Sequence, residues 1–139
     1  MPDSTAIDQA LIAKLGADVT LLSYMPNGPH WEESPSGSTK FVIVSMVDSV
    51  DEAVFGGRAI ESVLYMVKAV GRSDKNPDMV AAAARIDALL EDQPLTVTGY
   101  SWMTVHREGR IRTTEVDDVN PDIRWQHRGG FYRVEMSLT

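Results

Sequence analysis

Apolar and polar positions change period several times along the chain, and each period predicts an element. Ile7, Ala10, Leu11 and Leu15 recur at the spacing that lines one face of a helix, and Gly16 ends the run. Ser4 or Thr5 can cap the free amides at its start, and Asp8 suits the positive end of its dipole. Asp18 opens a second, shorter segment through Val19, Leu21, Leu22 and Met25, which Pro26, Asn27 and Gly28 close. These two segments predict an N-terminal helical hairpin.

A loop from Pro29 to Lys40 follows, in which Trp31, beside Glu32 and Glu33, reads as a short edge strand. Phe41–Val47 is apolar on both faces and rich in β-branched residues, the pattern of a central buried strand. Acids and hydroxyls interrupt it from Asp48 to Arg58, with Phe55-Gly56-Gly57 near the end. Alternation resumes over Glu61–Val70, with Val63, Tyr65, Val67 and Ala69 on one face and Leu64, Met66 and Val70 on the other. The pair predicts a long antiparallel hairpin whose extended polar tip spans residues 48–60. Asn76, Pro77 and Asp78 then form a helix start. The stripe Met79, Ala83, Ile86 and Leu90, widened by Val80, Ala82 and Leu89, marks a helix lying on a sheet, stopped by Pro94.

From Leu95 onward the pattern is that of strands. Leu95–Val97 leads to Trp102–Arg107, Glu108-Gly109 reads as a tight turn, and Ile111–Val116 follows. An acidic loop over Asp117–Asp122 precedes a last hairpin, Ile123–His127 and Phe131–Leu138, folded about Arg128-Gly129-Gly130. Helices and strands are segregated, so the fold class is α+β: one domain over residues 1–139, mostly antiparallel sheet, with the helical hairpin and one amphipathic helix packed on one face. Val42, Val44, Val67, Ile86, Leu90, Tyr132, Val134 and Met136 are the candidate core.

Composition narrows the function. The 139 residues include no cysteine, which removes disulfide scaffolds, thiol nucleophiles and Cys-ligated metals. The formal charge is −7, from 13 Lys+Arg and 20 Asp+Glu. All of the excess lies in residues 1–99, with 7 basic and 14 acidic side chains, while residues 100–139 balance 6 against 6. No secretory leader is apparent and no run nears the ~20 apolar residues of a membrane span, so a soluble product of a reducing host cytoplasm is expected.

Catalytic patterns are thin. The glycine motifs of dinucleotide and phosphate sites and the G-x-S-x-G nucleophile turn do not occur. His30, His106 and His127 lack metal-ligand spacing, although His106 and His127 lie on predicted strands that could face each other. Neither a metal nor a cofactor is expected, and the chain is read as a non-enzyme. Arg107, Arg110, Arg112, Arg124, Arg128 and Arg133 interleave with Trp102, Trp125, Phe131 and Tyr132, a combination that could stack bases. Six nearby carboxylates balance them, however, so cross-strand ion pairing or docking to an acidic neighbour accounts for them more economically. Asp48, Asp51, Glu52, Phe55 and Arg58 on the hairpin tip, with Arg107, Arg110, Arg112, Arg124 and Arg128 on the β region, are the candidate interface residues. An acidic first part and an arginine-bearing sheet suit a head-to-tail ring, where unlike surfaces meet.

The order of elements and several segments resemble the tail-completion, or tail-terminator, proteins of long-tailed bacteriophages and gene-transfer particles. The similarity lies in Ala10-Leu11-Ile12-Ala13-Lys14-Leu15-Gly16-Ala17-Asp18, the Phe41–Val47 strand, the Met79–Leu90 helix before Pro94-Leu95, and the closing Phe131-Tyr132-Arg133-Val134 strand. The extended 48–62 segment departs from the family pattern. The resemblance implies a structural virion protein at the tail–neck junction: a homo-oligomer, expected as a hexameric ring, on the last ring of tail-tube protein. It would stop tube polymerisation and offer a surface to head-side neck or connector proteins, with genomic DNA passing the lumen unbound. A head-completion (stopper) protein on the capsid side is the alternative within this class, and a small ligand-binding or enzymatic α+β domain the alternative outside it.

Overall fold

The computed structural model describes residues 5–54, 57–72 and 77–138, with side chains throughout except at 51–54, 57–59, 102, 103 and 138. Its elements are α1 (Thr5–Gly16), α2 (Val19–Tyr24), β1 (Pro29–Trp31), β2 (Lys40–Val54), β3 (Gly57–Arg72), α3 (Pro77–Leu90), β4 (Tyr100–Val116) and β5 (Arg124–Leu138). The strands form one five-stranded sheet in the order β1-β2-β3-β5-β4. Only the short β1 runs parallel to its neighbour, β2; the other pairs are antiparallel. This is the α+β arrangement that segregated helices and strands predict.

Alternation along the strands decides where the core lies. Val63, Tyr65, Val67 and Ala69 of β3 stand beside Val42 and Val44 of β2 and Tyr132, Val134 and Met136 of β5, all buried. Ile7, Leu11 and Leu15 of α1, Leu21 of α2, and Met79, Ala82, Ile86 and Leu90 of α3 complete the same cluster. Each large aliphatic side chain buried there stabilises the fold by about 1.5–3 kcal/mol. Helix α2 begins as its sequence dictates, with the Asp18 carboxylate accepting the Leu21 N–H at 2.8 Å. The same carboxylate takes a two-pronged contact from Arg85 of α3, at 2.8 and 2.7 Å, which ties the helices together. Arg85 holds the Asp18 carboxyl below the usual carboxylate range.

Several segments depart from the pattern-based expectation. The central strand is β3, and β2 lies second from the edge, with Val42, Ile43 and Val44 buried but Met46 and Val47 exposed. The polar stretch after Val47 does not end the strand: pairing continues to Val54↔Gly57, past a bulge between Met46 and Asp48. Backbone ladders need no apolar side chains, so polarity alone hides a strand that leaves the core. In α3 the buried stripe runs through Ala82 rather than Ala83, and Val80 is exposed. Leu95 and Val97 are buried outside any strand, under the core.

The largest corrections concern glycines. Glu108-Gly109 is a bulge inside the continuous strand β4, not a turn, and Arg128-Gly129-Gly130 lies within the continuous strand β5, not at a hairpin end. The last hairpin is instead β4–β5, turned at residues 117–123. Glycine is needed at 129 and 130 for closeness: a Cβ would sit 2.1 Å from the Val67 carbonyl oxygen at Gly129, and 2.9 Å from the Gly109 carbonyl oxygen at Gly130.

Candidate functional site

The strongest concentration of charge lies where the far half of the β4–β5 hairpin passes α3. Along β4, Arg107 has an odd number and Arg110 and Arg112 even ones, so regular alternation would put them on opposite faces. The bulge at Glu108 absorbs one residue: Arg107 opposes Tyr132, Arg110 opposes Gly130 and Arg112 opposes Arg128. All four arginines therefore share the helix-side face. They line an open cleft of about 410 Å³, with the small Ala83 and Ala84 of α3 as one wall. The missing side chain at Gly130 leaves room for Arg107 and the Tyr132 ring, whose nearest atoms lie 3.2 and 3.1 Å from where its Cβ would be.

One end of the cleft is satisfied internally. Asp87 Oδ1 accepts from Arg107 Nη1 at 2.8 Å and from the Tyr132 hydroxyl at 3.0 Å. The Arg107 N–H donates to the Glu91 carboxylate. Burial, helped by the Asp87 charge, pushes the Tyr132 hydroxyl well above its ordinary titration range. Arg110, Arg112 and Arg128 make no ion pair or hydrogen bond among the described residues. Of the two accounts the sequence offers for these arginines, cross-strand ion pairing or docking to an acidic neighbour, Arg133 shows the first, meeting Glu108 at 2.7 Å, and these three do not. Arg124 lies apart, at the first position of β5 beside the turn, donating to the Pro121 carbonyl.

The other candidate interface residues lie on the opposite flank of the sheet. Asp48 is exposed at the β2 bulge and accepts the Ser49 N–H at 2.9 Å. Asp51, Glu52 and Arg58 sit in the paired arm, opposite Glu61, Ile60 and Ala53, with their side chains outside the described set. Phe55 lies outside the described residues altogether. Val50, on the same arm, is exposed despite being apolar. Glu32 and Glu33 lie in the segment that the sequence reads as a loop, and their backbone is held. The Glu32 N–H donates to the Val44 carbonyl at 2.9 Å, the Glu33 N–H to the Trp31 carbonyl at 2.7 Å, and Glu32 has a φ of 66°. The turn displays two exposed carboxylates at the end of the edge strand β1.

The histidines do not converge. His106 opposes Arg133 and His127 opposes Thr113, so they lie six residues apart along β5. His30 Nε2 is 2.7 Å from the Asn27 carbonyl. His127 is largely buried on the outer face, 3.1 Å from Glu115, and desolvation, with the nearby Lys68, lowers its pKa. Among the described residues no group of three or more His, Asp or Glu could hold a metal ion. No described helix is long and apolar enough to cross a membrane.

No protein-family model and no curated protein matches this sequence. Among solved structures, the fold is similar to that of a chain in the virion of a native gene transfer agent particle. The TM-score is 0.68 at 16% identity, and the match covers 96% of this chain and 96% of that one. What the two chains share at that identity is the fold, across nearly their whole lengths.

Proposed function

We propose that this chain is a structural protein of a phage-like particle, and within it a tail terminator at the tail–neck junction. The observation that carries the reading is the fold shared, end to end, with a virion chain of a gene transfer agent. The order of segments that resembles tail-completion proteins points the same way. So does a surface that holds exposed apolar strand residues on one flank and, on the other, arginines with no partner among the described residues, features of a chain that works by contact. In this reading the copies close into a hexameric ring on the last tail-tube ring, stop its growth, and receive the head-side neck protein. The chain performs no catalysis, and its net negative charge lets genomic DNA slide past without adhering.

Deleting the gene from a particle-producing host tests this. Electron micrographs should show overlong tails without heads, and the purified chain should bind tail-tube protein in preference to portal-side protein. Tails of normal length joined to heads would reject the terminator role; preferential binding to the portal side would identify a stopper instead.

A further inference from the structure

The arginine cleft carries an unbalanced charge that the fold does not explain by itself. Arg112 and Arg128 are directly opposed across two strands on the same face, a like-charge pairing that weakens a sheet. Arg110 stands beside them, and no described carboxylate answers any of the three. This occurs in a chain whose net charge is −7, where counter-charges are plentiful. The complementary group is displayed at the other border of the sheet. Glu32 and Glu33 project from a turn fixed by two main-chain hydrogen bonds, one of them at a left-handed φ that non-glycine residues rarely adopt. Neither carboxylate has a partner among the described residues. The strand order β1-β2-β3-β5-β4 puts this turn on one edge and the cleft on the other.

We infer that the Arg110–Arg112–Arg128 cleft receives the Glu32–Glu33 turn of a second copy of this chain. The contact is heterologous, edge to opposite edge, so repetition closes a ring or continues as a filament. The inference rests on the ring-forming reading above and names the surfaces that would join neighbouring copies. A guanidinium cluster suits carboxylates through paired N–H···O contacts, and a cleft of about 410 Å³ walled by alanines accommodates side chains rather than a duplex. Opposite charge presented on two rigid elements also fixes orientation, because the reverse docking sets arginine against arginine.

The purified full-length chain tests this in two charge-reversed forms, R110E/R112E and E32K/E33R, with circular dichroism to confirm that both fold. Sedimentation velocity over a concentration series should show wild type assembling, and each variant alone weakened at least tenfold. An equimolar mixture should recover assembly, because the acidic cleft of one variant fits the basic turn of the other and the remaining pair is native. Raised ionic strength should weaken the wild-type contact. Unimpaired assembly of both variants, or a mixture that fails to recover, overturns the contact and leaves the ring reading standing. A wild type that stays monomeric throughout also overturns it, while the tail phenotype of the deletion still decides the terminator role. Duplex DNA retained by wild type but not by R110E/R112E, with E32K/E33R assembling normally, assigns the cleft to a polyanion instead.

Discussion

The body beneath the helices and the ribbons that extend beyond them are made from the same sheet, yet they treat polar groups in opposite ways. In the body each charge near the core has an internal answer: Asp18 with Arg85, Asp87 with Arg107 and Tyr132, and Asp8 with the Tyr65 hydroxyl. On the ribbons, Met46, Val47 and Val50 are exposed apolar residues of β2, and Arg110, Arg112 and Arg128 lack internal partners among the described residues. The contrast separates what folds the chain from what the chain offers to others. Satisfied polar groups rigidify a core, whereas exposed strand edges and unanswered charge favour association.

Mutations can break this contrast, and the largest effects belong to the body. Ile86→Ala, at a fully buried site of α3, should destabilise by about 2–5 kcal/mol in chemical denaturation. Asp87→Ala should cost about 1–3 kcal/mol, because it strands both the Tyr132 hydroxyl and the Arg107 guanidinium. Asp18→Ala should cost about 1 kcal/mol through its helix cap alone. Because the folded Asp18 carboxyl titrates below its ordinary 3.8, its contribution is present above that pH and is lost as pH falls through the folded value. Replacing it should therefore flatten the acid limb of the stability profile.

His127 acts with the same sign in a higher pH window. Its folded pKa lies below the ordinary 6.5, so the unfolded chain takes up the proton first and stability declines as pH drops below that value. The slope is at most about 1.4 kcal/mol per pH unit for one proton, and His127→Phe should remove it in urea titrations across this window. The ribbons supply the smallest effect on folding. Val50→Ser should change stability by no more than about 0.5 kcal/mol, yet reduce self-association seen by native mass spectrometry. A Val50→Ser variant that loses stability as Ile86→Ala does would erase the distinction between ribbon and body.

How much of this the sequence disclosed follows from how local each signal is. Helix α1, the cap at Asp18 and the inward row of β3 are set by spacing within one element, and each is where its pattern places it. The two glycine regions of the β4–β5 hairpin misled, because glycine serves turns and close approaches alike. Only the neighbouring β3 backbone shows that Gly129 is the second kind. The cleft was invisible for a related reason. The arginines were conspicuous, but their meeting depends on cross-strand register, and Asp87 gave no pattern that would link it to Tyr132.

The bulge at Glu108 makes the phase of β4, rather than the sequence spacing of its arginines, what builds the cleft. Removing Glu108 itself would leave Arg110 two places from Arg107 and keep both on the helix-side face by plain alternation, whereas a strand that kept Glu108 but lost the bulge would carry Arg110 and Arg112 to the outer face of the sheet. Substitutions there belong to the tolerated variation of a surface strand. A one-residue slip in register, rather than deletion of the bulged residue, changes which face of the protein is positive.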